Sequence, residues 1–97
     1  MTAHPMMQEV QNPELMYRGP ALPADMRERL LELGYAPHAT GLLMVGLPLV
    51  YSEADALVIE YPDGHRLQVE RQSDYEVDGT FLRYRYEVIR ALPPAAR

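Results

Sequence analysis

Between Leu67 and Ile89 the chain reads as two extended arms joined at Asp78-Gly79, and no other stretch constrains the fold as much. Asp-Gly supplies the positive φ angles that a tight two-residue hairpin turn needs. Folding the chain there sets Val77 opposite Thr80, Tyr75 opposite Leu82, Ser73 opposite Tyr84, Arg71 opposite Tyr86 and Val69 opposite Val88. These residues share one face, and most are apolar. On the other face Asp74 meets Arg83 and Gln72 meets Arg85. A slip of one residue would turn Leu82, Tyr84, Tyr86 and Val88 to the wrong side, so the register is well specified.

Upstream, Ala56–Tyr61 reads as a strand, and Pro62-Asp63-Gly64 decides how it meets the next one. A four-residue loop would set Ile59 against Gln68 and Leu57 against Glu70. A three-residue loop sets Ile59 against Leu67 and Leu57 against Val69, with Glu60 facing Arg66 on the outside. The second matches apolar to apolar. It also puts Gly64 where a type I turn followed by a bulge requires a left-handed residue. Gly41–Tyr51 reads as an irregular strand bent at Gly46, with Pro48 confining it to an edge or bulge. Ser52–Asp55 is a turn or a single turn of helix.

One helix is expected, over Asp25–Leu33. Asp25 and Glu28 have capping-box spacing, and Pro23 offers an alternative start. Met26, Leu30 and Leu33 fall on one face, and Gly34 is a left-handed C-cap. The fold class is therefore α+β: one short N-terminal helix packed on a four-stranded antiparallel β-meander with a long C-terminal hairpin. The strands are expected near 47–51, 56–61, 65–77 and 80–90. Residues 1–22 are an extended, partly mobile leader rich in Met and Pro, with Leu15-Met16-Tyr17 offering a short edge strand. Residues 23–92 form the single domain, and 93–97 a loose tail.

Composition narrows the function classes. The 97 residues include no cysteine, so thiolate chemistry, disulfides and Cys-based zinc sites are out. The formal net charge of -5 argues against non-specific nucleic-acid binding. Arg83 and Arg85 alternate with Tyr84 and Tyr86, so cations and rings face opposite sides rather than forming one base-stacking platform. No stretch has the about 20 apolar residues of a membrane helix. Met1–Pro13 lacks the pattern of a secretion signal. The expected location is the cytoplasm.

No catalytic set emerges. Asp74-Tyr75-Glu76-Val77-Asp78-Gly79 echoes the opening of a calcium loop, but Arg85 stands where the bidentate Glu belongs. His4, His38 and His65 are scattered, and a plain turn histidine outweighs a metal or acid–base role for His65 beside Glu60 or Tyr61. Ser52 and Ser73 sit in no nucleophile elbow. The sequence calls for no cofactor, no metal and no catalytic residue.

One helix of about 10 residues spans about 15 Å, whereas a hairpin arm of about 12 residues spans about 40 Å. The helix is expected on the aliphatic end, over Leu57, Ile59, Leu67, Val69 and Val88. That leaves a strip of Tyr75, Val77, Leu82 and Tyr84 near the turn for the leader, a second copy or another protein to cover. The expected role is a small non-catalytic protein-interaction module: a regulatory or accessory subunit, an inhibitor or immunity-type protein, or a homodimer. Its contact residues are Tyr75, Leu82 and Tyr84, with Arg83 and Arg85 as a charged rim. The alternative is a small-molecule binder or small enzyme with a pocket between helix and sheet lined by Tyr35, Tyr61 and Tyr86.

Overall fold

The computed structural model describes residues 15–97; the expectations for the first fourteen residues lie outside that range. The fold is α+β. Four antiparallel strands lie in the order β1-β2-β3-β4: β1 Leu49–Glu53, β2 Ala56–Glu60, β3 Arg66–Tyr75 and β4 Phe81–Leu92. Two α-helices precede them, α1 Arg27–Glu32 and α2 Pro37–Met44, with a 3-10 turn over Ala24–Met26 leading into α1.

The second helix corrects the expected single one. Residues 41–44, expected as part of a bent strand, are helical. Pro37 opens α2 at its first turn, where a missing N–H costs nothing, after an extended Ala36 at the N-cap. Gly46 closes it with a φ of 87°. There Gly46 N–H donates to Leu43 C=O and Leu47 N–H to Leu42 C=O, the paired bonds of a Schellman cap. Gly34 ends α1 identically: its own N–H reaches Leu31 C=O and that of Tyr35 reaches Leu30 C=O. Asp25 does not cap α1; it lies inside the 3-10 turn, and no side chain caps that end.

The β2–β3 register is Ile59 with Leu67, Leu57 with Val69 and Glu60 with Arg66, as the three-residue loop requires. Gly64 N–H bonds to Tyr61 C=O with Gly64 at φ 93°. The β3–β4 turn is different from the expected two-residue turn. Glu76 N–H donates to Thr80 C=O and Gly79 N–H to Glu76 C=O, so the loop is Val77-Asp78-Gly79, with only Gly79 at positive φ. The extra loop residue shifts Tyr75 onto Phe81 instead of Leu82. Leu82 then bulges out of β4, and the pairs Asp74–Arg83, Gln72–Arg85, Ser73–Tyr84, Arg71–Tyr86 and Val69–Val88 follow as expected. A second shift between Gln68 and Val69 leaves Ile89 as another bulge. The β1–β2 turn, Ala54-Asp55, has both residues at positive φ, 50° and 67°.

The sheet has apolar contacts on both faces. On one, Ile59, Tyr61, Val69 and Tyr86 are buried with Leu15, and Tyr17, Val50, Leu57 and Leu67 pack around them. On the other, Leu49 is buried with Leu22, Leu30 and Leu43 from the helical segment. This corrects the expected placement of the helix over Leu57, Ile59, Leu67 and Val69: the helices pack on the opposite face, and Leu15 and Tyr17 lie here, outside any strand. Burying a Leu fully contributes about 1.5–3 kcal/mol, so Leu15, Leu22, Leu30 and Leu43 account for much of what holds the layers together.

Candidate functional site

Two features stand out: a buried polar cluster beside a cleft, and the outer half of the β3–β4 arm.

β2 and the residue after it run Ala-Leu-Val-Ile-Glu-Tyr, a near-continuous apolar run of the kind that marks a strand covered on both faces. Glu60 sits in that run and is 2% exposed, not outward-facing as the sequence reading had it. Three donors meet its carboxylate. Tyr51 Oη reaches Oε1 at 2.7 Å, Tyr35 Oη reaches Oε2 at 2.7 Å, and Arg97 Nη2 reaches Oε2 at 2.9 Å. Arg97 also donates to the carbonyls of Pro62 and Tyr61. Burial opposes its charge, but hydrogen bonds to Glu60 and Tyr35 outweigh that and raise its pKa. Burial pushes the Tyr51 phenol up to about 12 and raises Tyr35 as well, with Glu60 reinforcing both. The carboxylate is held in a hydrogen-bond hub, with one donor on Oε1 and two on Oε2.

A cleft of about 550 Å³ opens beside the hub. Leu33, Tyr35, Leu49, Tyr51, Glu60 and Arg66 line it, together with Pro94–Ala96. Residues 93–97, expected as a loose tail, make several polar contacts: Ala95 N–H with Gly64 C=O, Arg66 Nε with Pro93 C=O, and those of Arg97. Tyr35 lines this cleft, but Tyr61 and Tyr86, its expected companions, belong to the core on the other face. Tyr61 Oη donates to Leu15 C=O, and its ring stacks on His65, whose Nδ1 pairs with Asp63.

The second feature is geometric. β2 pairs with β3 only through Val69, so beyond that point β3 and β4 continue as a two-stranded ribbon. Near its tip Tyr75, Phe81 and Tyr84 form a ring cluster, with Tyr75 edge-on to Phe81 at 5.9 Å and Phe81 at 4.9 Å from Tyr84. The Arg71 guanidinium lies 4.4 Å over the Tyr84 ring. Val77, Phe81, Leu82 and Tyr75 are all exposed, as are Val88 and Ile89 further down β4. On the opposite face Asp74 accepts from Arg83 Nε at 3.1 Å and from Arg85 Nε at 2.9 Å. Those two guanidiniums hold the Asp74 carboxyl below the ordinary range.

The structure thus brings Tyr75 and Tyr84 together through Phe81, a residue the sequence reading passed over. It sets Leu82 apart as a bulge and fixes Arg83 and Arg85 on one shared carboxylate. The hub of Glu60, Tyr51, Tyr35 and Arg97 was also missed; the signal for it was a lone carboxylate inside an otherwise apolar run. Among the described residues no group of three His, Cys, Asp or Glu side chains is placed to hold a metal ion. Nor is any described helix long and apolar enough to cross a membrane. No family model matches the chain, and neither a curated protein nor a solved structure matches it.

Proposed function

We propose that this chain is a small, non-catalytic protein-interaction module of the cytoplasm, acting as a regulatory or accessory subunit or as an inhibitor. Its contact surface is the outer half of the β3–β4 arm: Tyr75, Phe81, Leu82 and Tyr84, rimmed by Arg83 and Arg85. The observation that carries this reading is the arm itself. An isolated two-stranded ribbon is marginally stable in water, yet this one displays its largest apolar side chains to solvent. Such a surface gains by docking, and Tyr and Arg are the residue types that carry interface energy.

The test is Tyr84→Asp, followed by sedimentation of the purified protein and by capture of binding proteins from native lysate. The substitution is expected to remove self-association or a captured protein while leaving the far-UV circular dichroism unchanged. A wild-type monomer from which Tyr84→Asp removes nothing would refute the reading.

A second reading rests on the cleft beside Glu60, whose volume lies within the range of small-molecule sites. Its apolar walls and buried carboxylate suit a small ligand with an apolar body. Ala39 of α2 also lines the cleft, and filling it by Ala39→Phe should then abolish any ligand-induced rise in melting temperature.

A further inference from the structure

We propose that the arm's partner is a second copy of this chain, paired antiparallel along the outer edge of β4 about a two-fold axis through Tyr86. This rests on the interaction reading above and gives it an occupant and a register.

β4 is an edge strand: among the described strands it pairs with β3 alone. An edge strand of 12 residues offers a row of backbone donors and acceptors to another strand. The bond from Glu76 N–H to Thr80 C=O sets the phase of the ladder. Alternation from there, with the Leu82 bulge occupying one step, turns the backbone groups of Arg83, Arg85 and Glu87 toward β3. Those of Tyr84, Tyr86 and Val88 turn outward. The bulges at Leu82 and Ile89 bound this regular stretch.

Charge then selects the register. Two copies related by a two-fold axis must match outward groups with outward groups. Centring on Arg85 sets Arg85 against itself, and centring on Glu87 sets Glu87 against itself. Centring on Tyr84 sets Arg83 against Arg85. Centring on Tyr86 sets each Arg85 against Glu87 of the second copy and each Tyr84 against Val88 of the second copy. The two charged pairs are then non-hydrogen-bonded pairs, where side chains approach most closely.

The hairpin leaves both charges receptive. Glu87 lies opposite Glu70 in the ladder, a like-charge pair, and Arg85 Nη1 reaches it only at 3.8 Å along the strand. Arg85 commits Nε to Asp74, and its side chain is 40% exposed. A second guanidinium beside Glu87 relieves a repulsion that the single chain contains.

The experiment is sedimentation of the purified full chain as wild type, as Arg85→Glu, as Glu87→Arg, and as a 1:1 mixture of the two variants, with circular dichroism to verify folding. The wild type is expected to dimerise. Each variant alone sets like charges face to face twice and should weaken the dimer at least about tenfold. The mixture, in which both charged contacts of the heterodimer are attractive, should recover wild-type association. If Arg85→Glu fails to fold because of Asp74, the series wild type, Glu87→Gln, Glu87→Arg must weaken in that order. A wild-type dimer that Tyr84→Asp dissociates but the charge variants do not would overturn this register and leave the arm as the interface. A mixture that stays dissociated does the same. A wild-type monomer overturns the second-copy proposal; if Tyr84→Asp then still removes a captured protein, the interaction reading survives it.

Discussion

Replacing Glu60 with Gln probes the buried hub most sharply, because the change is nearly isosteric and removes only charge and acceptors. The Gln amide nitrogen must lie in one of two places. At the Oε1 position it confronts the Tyr51 hydroxyl, which donates there and already receives Arg66 Nη1 at 3.4 Å. At the Oε2 position it confronts Arg97 Nη2, which has no lone pair to offer. Either way a buried guanidinium loses its counter-charge; the Glu60 and Arg97 side chains are 3% and 6% exposed. Removing one member of such a pair costs about 3–5 kcal/mol. A domain of this size has about 5–15 kcal/mol in total, so Glu60→Gln should be folded but marginal. At about 4–8 °C per kcal/mol, a loss of 3 kcal/mol lowers the melting temperature by about 12–24 °C. Urea unfolding followed by tyrosine fluorescence is a direct assay, since the chain has seven Tyr and no Trp. The same measurement on Arg97→Met and on the double variant completes a cycle. The double variant should be less damaging than the sum of the singles by about 1.5–3 kcal/mol. Additivity within about 0.5 kcal/mol would show that the two side chains do not act as a pair.

Two further expectations concern pH and the β1–β2 turn. Tyr51 and Tyr61 have folded-state pKa values raised to about 12, by burial first, so the stability they contribute is complete below pH 10 and is lost as pH rises from 10 through 12. Melting temperature should fall steeply above pH 10, with phenolate absorbance from these rings appearing only on unfolding; a melting temperature that stays level to pH 12 would refute this. Ala54 and Asp55 both hold left-handed backbone that L-residues adopt at a cost. Replacing the pair with Asn-Gly, which suits that turn, should stabilise the protein by about 0.5–1 kcal/mol, and an unchanged urea midpoint would count against the strain.

The sheet was legible because strand alternation is a strong signal wherever one face is apolar. Leu57, Ile59, Leu67 and Val69 could be registered from sequence because only one loop length matched them. The second helix was not legible because Pro37 and Gly46 suit a broken strand as well as a short capped helix. Pro37 bars α1 from continuing and also opens α2, and Gly46, expected as a bend in a strand, ends α2 instead. Together they repeat the Pro-before, Gly-after grammar that had located α1 between Pro23 and Gly34. The hub was illegible for a different reason. Residues 51, 60 and 97 meet only once the chain is folded, and no local pattern joins them. The arm residues Tyr75, Tyr84, Arg83 and Arg85 could be chosen from alternation alone. Phe81 could not, because its place depends on whether the turn holds two residues or three.

The bulge at Leu82 gives the arm a property that a perfectly paired ribbon lacks. It absorbs the odd residue between the tip and the ladder, so Arg83–Val88 keep their partners although the loop is one longer than a minimal turn. Deleting a loop residue with Glu76 kept opposite Thr80 would shorten the turn to two residues and leave the Leu82 bulge and every downstream pair in place. Length variation at the tip is thereby uncoupled from facing along the shaft, and the outermost residues can be reshaped without disturbing the edge behind them.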